Sequence, residues 1–144
     1  MKKTIALVFS AVIMSCGGSY DVPRDINVLK KDIGRRVTHC YIEISDIDYS
    51  RNEIDNETAN DNVREGYKLS IKNAELLLDS LEKDIDVIKE ISSDKDYINS
   101  LEEAYNTSKE YFKAAQNTPK SDEERERLKR LNHDMDIYSI MFLM

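Results

Sequence analysis

The chain has 144 residues, 34% of them charged and 40% hydrophobic, which suits one soluble domain and is too short for two independent cores. Its net charge of −7, with no basic stripe, excludes the counterion-releasing phosphate contacts on which nucleic-acid binding depends, and disfavours lying flat on anionic lipid without a tether. With only 4 Gly, 2 Pro and no Trp, the composition favours an all-α fold.

At the amino terminus Lys2 and Lys3 precede an uncharged run from Thr4 to Met14, followed at once by Ser15-Cys16-Gly17-Gly18-Ser19. A basic start, an apolar run too short to cross a bilayer and a small-residue processing site are the parts of a secretory signal. Ile13-Met14-Ser15-Cys16 resembles the lipobox of bacterial lipoproteins, with a branched apolar residue three before the cysteine and a small residue directly before it. The resemblance implies a signal peptide over residues 1–15, a diacylglyceryl group on the Cys16 thiol and, in many such proteins, acylation of the new amine by palmitate-like chains. One acyl chain anchors only marginally, whereas two or more hold stably. Residues 16–22 would then be the lipidated cysteine and a flexible tether, and residues 23–144 a single helical domain. Gly17, in place of the Asp that retains enterobacterial lipoproteins in the inner membrane, implies an outer-membrane location. The competing reading is an ordinary secretory signal that ends beside a cysteine. With Cys16 lipidated, Cys40 has no partner for an intramolecular disulfide.

Pro23 suits the first turn of a helix expected to reach about Tyr49. Its apolar positions Ile26, Leu29, Ile33, Val37, Cys40, Tyr41, Ile44 and Ile47 recur at three- and four-residue steps. Gly34 costs about 1 kcal/mol against Ala there, and β-branched residues make a strand over residues 37–44 the rival, although such a strand would have no partner. Ser50 to Glu57 reads as a loop. Thr58 with Asp61 resembles a capping box opening a second helix to about Ser92, on a seam of Tyr67, Ile71, Ala74, Leu78, Leu81, Ile85 and Ile88. Ser92-Ser93-Asp94 is expected to break the rod, with Ser93 as cap. A third helix carries Ile98, Leu101, Tyr105, Ser108, Phe112 and Ala115 on its seam and ends before Pro119. Ser121 with Glu124 caps a fourth, bearing Leu128, Leu131, Met135, Tyr138 and Phe142. About four helices joined by short loops pack as an antiparallel bundle; a continuous helix through Ser92 would instead make an elongated hairpin or an oligomeric coiled coil.

No Gly-rich phosphate loop, nucleophile elbow or zinc-type cysteine pair is present, and Arg36 and Arg130 stand where a di-iron motif would place Glu before His39 and His133. Catalytic residues, metal ligands and cofactors are therefore expected to be none, apart from covalent lipid. His39 beside Cys40 is the one nucleophile-like pair, but neighbours on a helix point about 100° apart, and a small buried thiol is the simpler reading. Acidic clusters at Asp46, Asp48, Glu53, Asp55, Asp134 and Asp136 lack the Gly of a calcium loop. The stretch Arg125, Arg127, Lys129 and Arg130 reads as a solvated face of ion pairs. Tyr97 and Tyr111 fall off the third seam, and Ile140, Met141, Leu143 and Met144 add apolar surface to the last helix, so these six residues form the expected partner surface. The leading expectation is a non-enzymatic, lipid-anchored binding or assembly protein of the cell envelope, facing the periplasm or medium. The alternatives are a self-associating structural spacer and an unrecognised enzyme.

Overall fold

The computed structural model describes residues 20–144, and Cys16 and the segment expected to be a signal peptide lie outside the described residues. Four helices account for nearly all of them: α1 (Ile26–Asp55), α2 (Asp61–Ile91), α3 (Lys95–Ala115) and α4 (Asp122–Leu143). They form an all-α, antiparallel bundle in which α1 packs against the other three, while α2 and α4 hold opposite corners and hardly touch. At 1.5 Å per residue α1 and α2 make a hairpin about 45 Å long, against which the shorter pair α3 and α4, roughly 32 Å long, is laid.

Each helix starts where a side chain can accept an orphan amide proton. The Asp25 carboxylate accepts from the Val28 N–H at 3.0 Å, so Pro23 stands in the extended lead before the cap rather than in the first turn. α1 also runs on to Asp55, well past the expected end at Tyr49. Arg51 is the reason: it pairs with Asp48 at 3.0 Å and Asp55 at 3.3 Å, stapling the last two turns, and donates to the Ala115 and Asn117 carbonyls at 3.2 and 2.9 Å. One buried guanidinium thus extends α1 and satisfies carbonyls at the end of α3. Glu57 then takes a left-handed φ of 58°, and Thr58 bonds back to the Glu53 carbonyl at 3.2 Å. The expected cap at Thr58 is therefore replaced by Asn60, whose side chain accepts from Val63 N–H at 2.9 Å.

The break between α2 and α3 is real, which excludes the continuous helix. Ser92 Oγ accepts from the Asp94 N–H at 3.1 Å, and Asp94, one residue beyond the expected Ser93, caps α3 through the Tyr97 N–H at 3.0 Å. At α4 the Ser121 hydroxyl accepts from Glu124 N–H at 3.1 Å, as its spacing predicts, and the Glu124 carboxylate reaches back to Lys120 N–H at 2.6 Å.

The core follows the seams closely on α1, where Leu29, Ile33, Val37, Cys40, Ile44 and Ile47 are all fully buried. Each such aliphatic side chain stabilises the fold by about 1.5–3 kcal/mol. On α2 the seam gains Leu77, and on α3 it is rotated: Leu101, Ala104, Ser108, Tyr111 and Ala115 face inward, leaving Ile98, Tyr105 and Phe112 half-buried. Gly34 fills a specific need. A Cβ there would lie 3.1 Å from the Phe142 carbonyl carbon and closer still to its oxygen, so only glycine lets the last turn of α4 rest on α1.

Candidate functional site

Three places in the bundle carry more than packing. The first is the outward face of α4. Its core residues Leu128, Leu131 and Met135 define one side of the helix. About 180° away stand Ile137, Ile140, Met141 and Met144, an i, i+3, i+4, i+7 set of its own, with Leu143 at its flank. Ile140, Met141 and Leu143 are 55%, 43% and 58% exposed. Above Ile137 the same face is polar, with Arg130, His133 and Asp134, so the apolar stripe is confined to the last two turns, about 10 Å of helix. The inward half of this segment is filled by Ser139, Tyr138 and Phe142.

The expected surface is only partly assembled. Tyr97 is half-buried at the foot of α3, its ring edge-on to Phe142 with centroids 5.6 Å apart and under the Lys30 ammonium at 4.4 Å. Burial, with Asp84 and Asp94 nearby, raises its hydroxyl to about 12, and the hydroxyl oxygen is buried without a hydrogen-bond partner. Tyr111 does not belong to the surface: it is fully buried, and its hydroxyl accepts from Asn132 Nδ2 at 2.5 Å. The rotation of α3 brings it in together with Ala104 and Ser108, and its polar tip still reaches an amide.

The second place is a polar row buried between α1 and α2. Asp84, fully enclosed, accepts from Arg36 Nη1 at 2.8 Å and from the Tyr20 hydroxyl at 2.9 Å, while the Arg36 guanidinium lies 4.1 Å over the Tyr20 ring. Desolvation outweighs the pull of Arg36 and pushes the Asp84 carboxyl up to about 6. The Tyr20 hydroxyl is raised for the same reason, burial first and the Asp84 charge second.

Farther along the same helices, Glu43 Oε1 accepts from Asn73 Nδ2 at 3.3 Å. Both residues are almost wholly buried, yet Glu43 Oε2 and Asn73 Oδ1 have no hydrogen-bond partner. They form the wall of the third place, a cleft of about 580 Å3 between α1 and α2. Burial pushes the Glu43 carboxyl up, and Ser70 and Asn73 draw it partly back. Nothing in the sequence singled out this pair, which sits mid-helix beside the seams.

The pair His39 and Cys40 does not make a nucleophile. Cys40 is fully enclosed, and burial drives its thiol up to about 12, while His39, half-buried, is held toward its neutral form by desolvation and by Arg35. Of the acidic positions on α1, Asp48 and Asp55 serve Arg51, and Arg125, Arg127 and Lys129 pair with Asp122, Glu110 and Glu126. Among the described residues no three His, Cys, Asp or Glu side chains converge as metal ligands, and no helix is long and apolar enough to cross a membrane. Compared with family models, curated proteins and solved structures, the chain matches none.

Proposed function

We propose that the protein is a non-enzymatic, lipid-anchored docking protein of the bacterial cell envelope, held at the outer membrane through Cys16 and engaging a protein partner through the end of α4. The observation that carries the docking role is the outward stripe Ile137, Ile140, Met141 and Met144 beside Leu143, which serves no core and repeats the spacing by which a helix fills an apolar groove. The anchor is supported by the lipobox-like Ile13-Met14-Ser15-Cys16 alone. Tyr20 is pinned to α1 and α2, so a lipid on Cys16, four residues upstream, would keep the body within roughly 14 Å of the bilayer.

The stripe favours a grooved partner over a second copy of the chain. A patch about 10 Å long and one helix wide has a footprint on the order of 100 Å2, far below the ~800 Å2 per partner that a stable complex buries. Two such stripes face to face would leave most of that deficit, whereas a groove also covers the flanks of α4, including Leu143. This counts equally against the self-associating spacer. Crosslinking from a photoreactive residue at position 141 in intact cells tests the reading. One partner is expected to be captured, and Ile140→Asp should abolish the capture while leaving helicity and unfolding temperature unchanged. Capture that survives Ile140→Asp, or equal capture from the exposed polar position 68 on α2, would refute it.

A further inference from the structure

The negative charge that disfavours contact with anionic lipid is not spread evenly along α1. Gly34 faces α4 and Arg36 faces α2, and an arc of the helix between them is left open to solvent. At about 100° per residue, Arg24, Val28, Lys31 and Arg35 fall within that arc, roughly 60–120° round from Gly34, and all four are exposed. They cover about 17 Å of helix. Arg24 is paired at 3.1 Å with exposed Glu90 and Arg35 at 3.9 Å with Asp32, contacts that contribute little in solvent, and Lys31 makes no ion pair among the described residues. Val28, 48% exposed, adds an apolar side chain in their midst. Farther along α1 the same face changes sign, with Asp46 and Glu53 on either side of exposed Tyr49. The cationic half is hidden in the sequence because Asp25 and Asp32, which turn toward α2, cancel it in any running count.

The tether leaves the domain beside this half. Tyr20 is pinned between Arg36 and Asp84, at the α2 edge of the open arc and level with Arg35, and Cys16 stands only four residues upstream, a reach of about 14 Å. A lipid on Cys16 therefore brings the cationic half of α1, not the acidic half, up to the headgroups. We infer that Arg24, Val28, Lys31 and Arg35 rest on the anionic glycerophospholipid headgroups of the membrane that holds the anchor. The inference rests on Cys16 as the anchor. It gives the body a fixed pose: α4 packs at the side of α1, so its outward apolar stripe faces along the bilayer, toward a partner in or beside the same membrane.

The chain contains no Trp, so Val28→Trp and Tyr49→Trp each supply a single emitter, about 32 Å apart on one face of α1. The chain from residue 16 onward is coupled through Cys16 to a maleimide-bearing lipid, which enclosed Cys40 does not meet, in vesicles whose headgroups carry a nitroxide quencher. With phosphatidylglycerol present, quenching at position 28 is expected to exceed that at position 49 roughly twofold or more. Lys31→Glu with Arg35→Glu, both at exposed positions, should erase the difference, as should vesicles of phosphatidylcholine alone. Equal quenching at the two positions, a difference that survives the charge reversal, or one as large without anionic lipid overturns the assignment. If the face serves an acidic protein instead, position 28 stays unquenched on vesicles and the assignment falls. Because the lipid is supplied chemically, these failures count against the pose alone, whereas native protein without acyl mass counts against the anchor.

Discussion

Replacing Gly34 by Ala sets two effects of opposite sign against each other. Helix propensity alone makes Ala the better residue in the middle of α1 by about 1 kcal/mol. Packing opposes it, because the added methyl would meet the backbone carbonyl of Phe142 and approach Leu143 Cα to 3.7 Å. Backbone cannot turn aside as a long side chain can, so α1 and α4 must separate at this point. Overpacking of this kind costs about 1–3 kcal/mol, and here it also disturbs the Thr38 hydroxyl, which bonds to the Gly34 carbonyl at 3.1 Å and lies 3.5 Å from that of Ser139. The net expectation is a loss of about 1 kcal/mol, or roughly 4 °C in unfolding temperature for a domain of this size. Urea denaturation followed by circular dichroism measures it, and amide exchange should quicken first at Ser139 to Leu143. A Gly34→Ala protein as stable as the parent, or more stable, would refute the close approach and with it the seating that turns the α4 stripe outward.

Other expectations follow from buried polar groups and from one strained residue. Arg36→Met should cost about 3–5 kcal/mol at pH 7 by stranding the Asp84 carboxylate, and the double variant Arg36→Met with Asp84→Leu should recover most of it; urea unfolding of the three proteins decides. Because the folded state raises Asp84 from 3.8 to about 6, it binds more protons than the unfolded state in between. This group's contribution therefore falls as pH rises from about 4 to 6, and Asp84→Asn should flatten that part of the stability profile. Cys40 should react with maleimide only as fast as the domain opens, and labelling of the folded protein in seconds would contradict its enclosure. Glu57→Gly should stabilise the protein by roughly 0.5–1 kcal/mol, measured by thermal unfolding, since glycine removes the left-handed strain after α1 at the cost of a freer unfolded chain.

The number of helices, their antiparallel packing and the inward face of α1 were legible because three- and four-residue spacing is a local pattern that the core then uses without change. Helix ends were less so. Thr58 and Ser93 both have capping chemistry, yet Asn60 and Asp94 win, and the extension of α1 to Asp55 depends on Arg51 finding carbonyls at the end of α3, sixty-odd residues away. Tyr111 was misplaced because a seam can be drawn through Tyr105 and Phe112 equally well. Only the packed structure shows that α3 turns Ala104, Ser108 and Tyr111 inward together. Of the expected partner surface, the α4 residues were legible as an excess of apolar side chains over what one face can bury. The Glu43 and Asn73 cleft left a fainter signal: Arg36, Glu43 and Ser50 recur seven apart along the α1 flank and are all buried, a polar row that means nothing until α2 supplies Asp84 and Asn73 opposite it.

A single observation bears most directly on whether this bundle works from a membrane. Intact-mass spectrometry of the protein extracted from its native envelope should show a chain that begins at Cys16 and carries diacylglyceryl and fatty-acyl mass, with Cys16→Ser released from the membrane fraction. A mature chain with an unmodified cysteine, or one that stays membrane-bound after Cys16→Ser, would contradict the account.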